Sequence, residues 1–223
     1  MPKRTLDQQH SIIEAAHEYN VILDSREIFI KDSIDSDGET GISFVKNLSL
    51  LSAKDQKAPI IIHQYNIGGD WSCGMIIFDA IVACSCPIIF LTHGIASSMG
   101  AVIPLACIKH DDAYIVTMPH CEWMIHSGTT GITSEHTLKQ SKSLGRWEIK
   151  QDKLCIDYLV EAGKRGNKNA GKTEKQIRSY VQRQLDTKED WYLSAREAVD
   201  FGLADAVLGD KNFETLENIK SHW

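Results

Sequence analysis

The stretch Leu91-Thr-His-Gly-Ile-Ala-Ser-Ser-Met-Gly-Ala101 constrains the fold more than any other part of the chain. Before it, Cys86-Pro-Ile-Ile-Phe-Leu91 has the length and apolar composition of a buried strand. After it, Ala101-Val-Ile-Pro-Leu-Ala-Cys-Ile108 is small and apolar. Small residues crowd the junction: Gly94, Ala96, Ser97, Ser98, Gly100 and Ala101. Where a strand turns sharply into a buried helix, backbones approach closely and large side chains do not fit. Such a turn presents one side chain at a helix start, where free N–H groups and the positive dipole end favour a developing negative charge. A serine held there is a candidate nucleophile with a ready oxyanion site. The plainer alternative is an N-cap serine.

The rest of the chain alternates strand and helix signals. Residues 8–19 suit a short helix. Val21-Ile-Leu23 and Glu27-Ile-Phe-Ile30 suit a strand pair or one bent strand, and residues 31–38 a polar turn. Residues 40–53 carry apolar side chains at near-helical spacing. Ala58-Pro-Ile-Ile-Ile-His63 reads as a strand, Asn66-Ile-Gly-Gly-Asp70 as a turn, and residues 73–82 as a buried helix. Further strands are expected at 112–117, 122–126 and 204–208. A long helix is expected at 134–162. A basic, glycine-rich and mobile loop should follow at 163–172, then a capped helix from Thr173 to Leu185. Ser194-Ala-Arg-Glu197 is a second capping box, stopped by Gly202. This alternation argues an α/β protein with a mainly parallel sheet.

Composition removes several function classes. With 223 residues, the chain is long enough for one sizeable core and short for two. A formal charge of −6 gives no electrostatic case for nucleic acid or anionic lipid. No apolar run reaches the 18 or so residues of a membrane span, and residues 1–10 lack the apolar core of a signal peptide. The six cysteines are scattered and read as buried hydrophobes in a reducing compartment such as the cytoplasm. Cys84-Ser-Cys86 has no accompanying Cys/His couplet, so no metal site is expected.

Gly94-Ile-Ala-Ser-Ser-Met-Gly-Ala101 resembles the active-serine motif of the ClpP family of caseinolytic serine peptidases, with Ser98 as nucleophile. Met124-Ile-His126 resembles the family's histidine motif, and Asp190-Trp-Tyr-Leu-Ser-Ala195 the segment that holds its aspartate. The order Ser, His, Asp and the spacing from Gly68-Gly69 to Gly94 are also similar. The resemblance implies a Ser98–His126–Asp190 triad, with Asp186 and Glu189 as rivals for the third role. It implies an oxyanion hole from the N–H groups of Met99 and Gly69, with Gly68 as the alternative. The implied fold is α/β with a crotonase-like repeated β-β-α core and a protruding handle helix. One domain would then span residues 1–223, with an N-terminal segment at 1–20, a handle region at 134–175 and a peripheral tail at 210–223.

The same resemblance implies a polypeptide substrate, no cofactor, a homo-oligomeric heptameric ring or stacked tetradecamer, and an AAA+ unfoldase as partner. The unfoldase would dock on positions corresponding to Ile61, His63, Ala83, Leu91 and His93, three of which are smaller or more polar than the family's aromatic and aliphatic lining. Asn66-Ile67 stands where the family has Ser-Pro, and Ser127-Gly128 where it has Gln-Pro. A phage-type head-maturation protease of the same fold, a crotonase-like acyl-CoA enzyme and a catalytically dead ring subunit are the competing readings. The last two give no reason for Ser98, His126 and Asp190 to occur together.

Overall fold

In a computed structural model of the chain, residues 6–128 and 137–223 are described. The elements in order are α1 (Leu6–Glu18), β1 (Val21–Ile22), β2 (Glu27–Ile34), α2 (Glu39–Lys54), β3 (Ile60–Gly69), α3 (Trp71–Ala83) and β4 (Ile88–Ser97). Then come α4 (Met99–Val102), a 3-10 segment (Ile103–Lys109), β5 (Ala113–Thr117), β6 (Glu122–His126) and α5 (Leu138–Arg165). A short 3-10 turn (Asn167–Asn169), α6 (Glu174–Lys188), β7 (Asp190–Ser194), α7 (Ala195–Phe201), β8 (Ala206–Val207) and α8 (Leu216–Lys220) complete it. This is the mixed α/β architecture with a central sheet that the sequence predicts.

The sheet runs β1-β2-β3-β4-β5-β8. All pairs from β2 to β8 are parallel, and β1 is antiparallel to β2. Strand β4 has two successive neighbours: Ile88–Thr92 pairs with β5, and Ile95–Ser97 pairs with β6. The handover falls at Gly94, whose φ is 59. This branching brings β6 beside the end of β4, and β7 then lies antiparallel to β6.

The apolar runs in β3 and β4 have no polar alternation because both faces of the sheet are covered. Side chains alternate across a strand. Ile60, Ile62, Ile88, Phe90 and Ile115 therefore enter the main core under α2, α3, α5 and α7. Ile61, Ile89, Leu91 and Val116 enter a second, smaller cluster closed by Ile219 of α8. Each fully buried aliphatic side chain contributes about 1.5–3 kcal/mol.

Four expectations are corrected. The polar stretch 31–38 is strand as far as Ile34, and the expected turn at 66–70 is strand through Gly69. In both places a neighbouring strand supplies hydrogen-bond partners that polar residues do not advertise. The 163–172 loop is an ordered crossing. Asn169 is buried, and its Nδ2 donates to the Gly163 carbonyl at 3.0 Å. The expected start of the long helix at 134 lies outside the described residues, and α5 is capped by a Thr137–Gln140 capping box. The 210–223 tail is more than peripheral, since Ile219 is fully buried against the sheet.

Candidate active site

Ser98 stands between β4 and α4 with φ 54 and ψ −120. A non-glycine residue reaches that region only under constraint from its surroundings. The constraint is visible in the contacts. The Ser98 N–H donates to the Met124 carbonyl of β6 at 2.8 Å, and the Ala101 N–H donates back to the Ser98 carbonyl at 2.9 Å. The small residues of the junction are explained by backbone approach. A Cβ on Gly100 would stand 2.6 Å from the Asn66 carbonyl oxygen; outside the junction, one on Gly74 of α3 would stand 2.3 Å from the Met99 side chain. Helix α4 is a single turn that passes into a 3-10 segment, so the expected buried helix is shorter than its apolar run suggests. Any anion stabilisation here rests on individual N–H groups more than on a long helix dipole.

His126 ends β6, and its Nε2 lies 2.7 Å from Ser98 Oγ. The register of β6 and β7 sets His126 directly opposite Asp190. Opposed residues of an antiparallel pair share a face, with Cβ atoms about 4.5–5.5 Å apart. The Asp190 carboxylate is exposed and makes no hydrogen bond to the ring. Asp186 lies off this strand pair, on α6, where it accepts a 3.0 Å hydrogen bond from Gln182 Nε2. Glu189 follows α6 at a residue of φ 57.

Gly68 and Gly69 end β3 beside the serine. A Cβ on Gly68 would stand 2.7 Å from Ser98 Cβ and 3.1 Å from its Oγ. The Gly68 N–H is already used, donating to Asn66 Oδ1 at 2.6 Å. The Asp70 N–H donates to the Ile34 carbonyl at 3.0 Å. A groove of about 660 Å³ opens over Ser98, Gly69 and His126, walled by Trp71, Met124 and Ile149. Cys155 also reaches it, but burial pushes that thiol up to about 12 and removes it as a rival nucleophile.

One residue of this site is not signalled by the sequence: Asp152 of α5 lines the groove and accepts the Gly128 N–H at 3.4 Å, tying the segment after His126 to the long helix.

The five expected docking positions separate. His63 and His93 line a second cavity, of about 600 Å³, beneath α1. His63 Nδ1 lies 3.0 Å from His93 Nε2, and its ring stacks on Phe29 at 4.8 Å. Burial holds the His63 pKa below the usual histidine range, against the opposing pull of Glu27, whose carboxylate is 3.4 Å away. Burial, and then the His63 charge, lower His93 likewise. Ile61 and Leu91 are covered by α8 and present no surface while it is in place. Ala83 is exposed at the end of α3, outside this cavity. Among the described residues no three His, Cys, Asp or Glu side chains could together hold a metal ion. No described helix is long and apolar enough to cross a membrane.

Comparison with known proteins adds to this geometry. A family model described as Clp protease matches residues 9–211. The ATP-dependent Clp protease proteolytic subunit 1 of Protochlamydia amoebophila is 29% identical over 199 residues, covering 89% of this chain and 87% of the relative. Its counterpart from Chlamydia trachomatis is 28% identical over 187 residues, covering 84% of this chain and 88% of the relative. The chloroplastic ATP-dependent Clp protease proteolytic subunit 3 of Arabidopsis thaliana is 30% identical over 193 residues, 86% of this chain and 55% of the relative.

Proposed function

The chain belongs to the Clp protease family, and from that premise we propose that it is a serine endopeptidase hydrolysing unfolded polypeptides inside an oligomeric chamber. The observation that carries this reading is the 2.7 Å hydrogen bond between Ser98 Oγ and His126 Nε2 within an open groove.

Ser98 Oγ attacks the scissile carbonyl carbon while its proton passes to His126 Nε2. The N–H groups of Gly69 and Met99 hold the oxyanion, since those of Ser98 and Gly68 are engaged elsewhere. Collapse of the tetrahedral adduct breaks the C–N bond, His126 protonates the departing amine, and an ester remains on Ser98. Water then attacks that ester, with His126 again taking the proton; collapse breaks the bond to Ser98 Oγ, His126 returns the proton to that oxygen, and the acid product leaves. Asp190 turns onto Nδ1 of His126 to hold the reactive tautomer. Catalytic hydrogen bonds of this kind often tighten only when substrate is bound. No cofactor is required. The partners in this reading are further copies of the chain in a heptameric ring or stacked tetradecamer, and an AAA+ unfoldase. Its setting is a reducing cytoplasm, with which six free cysteines agree.

Two measurements test the reading together. A fluorophosphonate probe should label Ser98, and Ser98→Ala should lower peptide hydrolysis by a factor on the order of 10⁶. Unchanged turnover by a clean Ser98→Ala preparation would end the serine-peptidase reading.

A further inference from the structure

Asn66 is completely buried in β3, two residues before Gly68. Its Oδ1 accepts the Gly68 N–H at 2.6 Å, while its Nδ2 has no partner. A buried amide with an unmet donor is destabilising relative to an apolar side chain of similar shape. Stability alone therefore does not account for an asparagine at this position.

Its surroundings supply another account. The pairing of β3 with β4 shifts between Gln64 and Asn66, and the pairing of β2 with β3 shifts between Asp32 and Ser33. The sheet is thus irregular on both edges just before Gly68 and Gly69. Both glycines have positive φ, 110 and 134, in a region that their lack of a Cβ leaves wide. An unclamped pair would sample several peptide orientations. The Asn66 side chain closes an Asx turn onto Gly68 and removes that freedom. The Asn66 backbone is itself gripped from the other side, by the close approach of Gly100 in the turn after Ser98. The clamp and the nucleophile turn are therefore packed directly on each other.

We propose that Asn66 is a positioning residue for the oxyanion site, its carboxamide oxygen holding Gly68 so that the Gly69 N–H faces the reacting carbonyl. This rests on the serine-peptidase reading above. Asn66 touches no reacting atom, and it acts through the direction of one peptide group. It also explains why Gly69, and not Gly68, is left to donate.

The test is the full-length chain carrying Asn66→Ala or Asn66→Ser, assayed on a peptide substrate and with a peptide boronate, whose tetrahedral adduct uses the oxyanion donors. Deleting an oxyanion donor outright costs about 10²–10³ in kcat, so a donor left in place but loosened should cost less. We expect Asn66→Ala to lose about 10–100-fold in kcat with KM held within about twofold, and boronate affinity to fall by a similar factor. Asn66→Ser, whose hydroxyl can accept the N–H two residues on, should recover kcat to within about fivefold of wild type. Asn66→Leu, similar in shape and without an acceptor, repeats the measurement if Asn66→Ala fails to assemble. Unchanged kcat in a folded Asn66→Ala or Asn66→Leu protein overturns the proposal. So does a parallel loss in kcat, KM and melting temperature that Asn66→Ser fails to relieve, which is the mark of a purely structural role. A fully active Ser98→Ala control would mean instead that the serine-peptidase reading itself had failed.

Discussion

Ser98 and His126 sit at the ends of strands, where the backbone rather than a flexible side chain sets their separation. Both could be read from the sequence because their neighbours form motifs: small residues around Ser98, and an apolar strand before His126. Asp190 came from the sequence only through a resemblance, that of the Trp-Tyr-Leu-Ser-Ala following it to the family's aspartate segment. Its position opposite His126 in the strand pair separates it from Asp186 on α6. Asp190→Asn should therefore cost up to about 10⁴ in kcat, as when the orienting carboxylate of a triad is neutralised, while Asp186→Asn stays near wild type. Steady-state kinetics on the two variants decides this, and a crippled Asp186→Asn beside an active Asp190→Asn would reverse the assignment. Asn66 is visible in the sequence, but the role proposed for it is not, because its partner, Gly68, reads locally as part of an ordinary turn. Only the burial of the asparagine and the close approach of Gly100 give it a role.

Among the elements, strands and helices with clean periodicity were legible, and the stretches dominated by glycine and polar residues were not. The 163–172 segment reads as a flexible loop because glycine is permissive in an isolated chain. In the fold Gly163 and Gly166 are there for contact, whereas Gly171 has open space around it and a φ of 76. A Cβ on Gly166 would stand 2.0 Å from the Phe201 carbonyl oxygen, and one on Gly202 2.2 Å from the Ala162 carbonyl oxygen. The end of α5 and the end of α7 therefore touch backbone to backbone, beside an ion pair between Arg165 and Asp205. Gly166→Ala should destabilise the chain by about 1–3 kcal/mol, because backbone cannot yield as a side chain does. A drop of about 2–4 °C in melting temperature per kcal/mol is the expected readout for a chain of this size. A variant that melts with the wild type would show that the crossing relaxes at no cost.

For the whole molecule, the first half of α5 carries too much apolar surface for a helix meant to remain in water. Leu138 is 74% exposed, Ile149 71% and Trp147 47%. We expect these exposed side chains to pack against other copies, giving a particle many times the 25.0 kDa chain mass. Light scattering at micromolar concentration checks it, and a monodisperse monomer would make a closed chamber untenable. Docking of an unfoldase should be weak. Of the five expected positions, His63 and His93 line a cavity of about 600 Å³, while Ile61 and Leu91 lie under α8. Each large apolar contact missing from such a pocket removes about 1.5–3 kcal/mol when fully buried. Interferometry against a bacterial Clp ATPase with ATP present should show no submicromolar binding; tight binding that survives His63→Ala and His93→Ala would show that the docking surface lies elsewhere.

The pairing of β6 with β7 has a further consequence, for the order in which the chain acquires its activity. His126 and Asp190 are adjacent across this pair, yet all of α5 and α6 lies between them in sequence. Contacts that close long loops form late, because the entropy of closure must be met before the contact can reward it. The parallel strands β2, β3 and β4, with only one helix between successive members, can assemble earlier. On the proposed mechanism, a newly made chain would thus hold Ser98 in its turn while Asp190, the proposed third member of the triad, is still unfixed. Hydrolytic competence would arrive last, after the long helix has folded back, so an unfinished chain is poorly equipped to attack its neighbours.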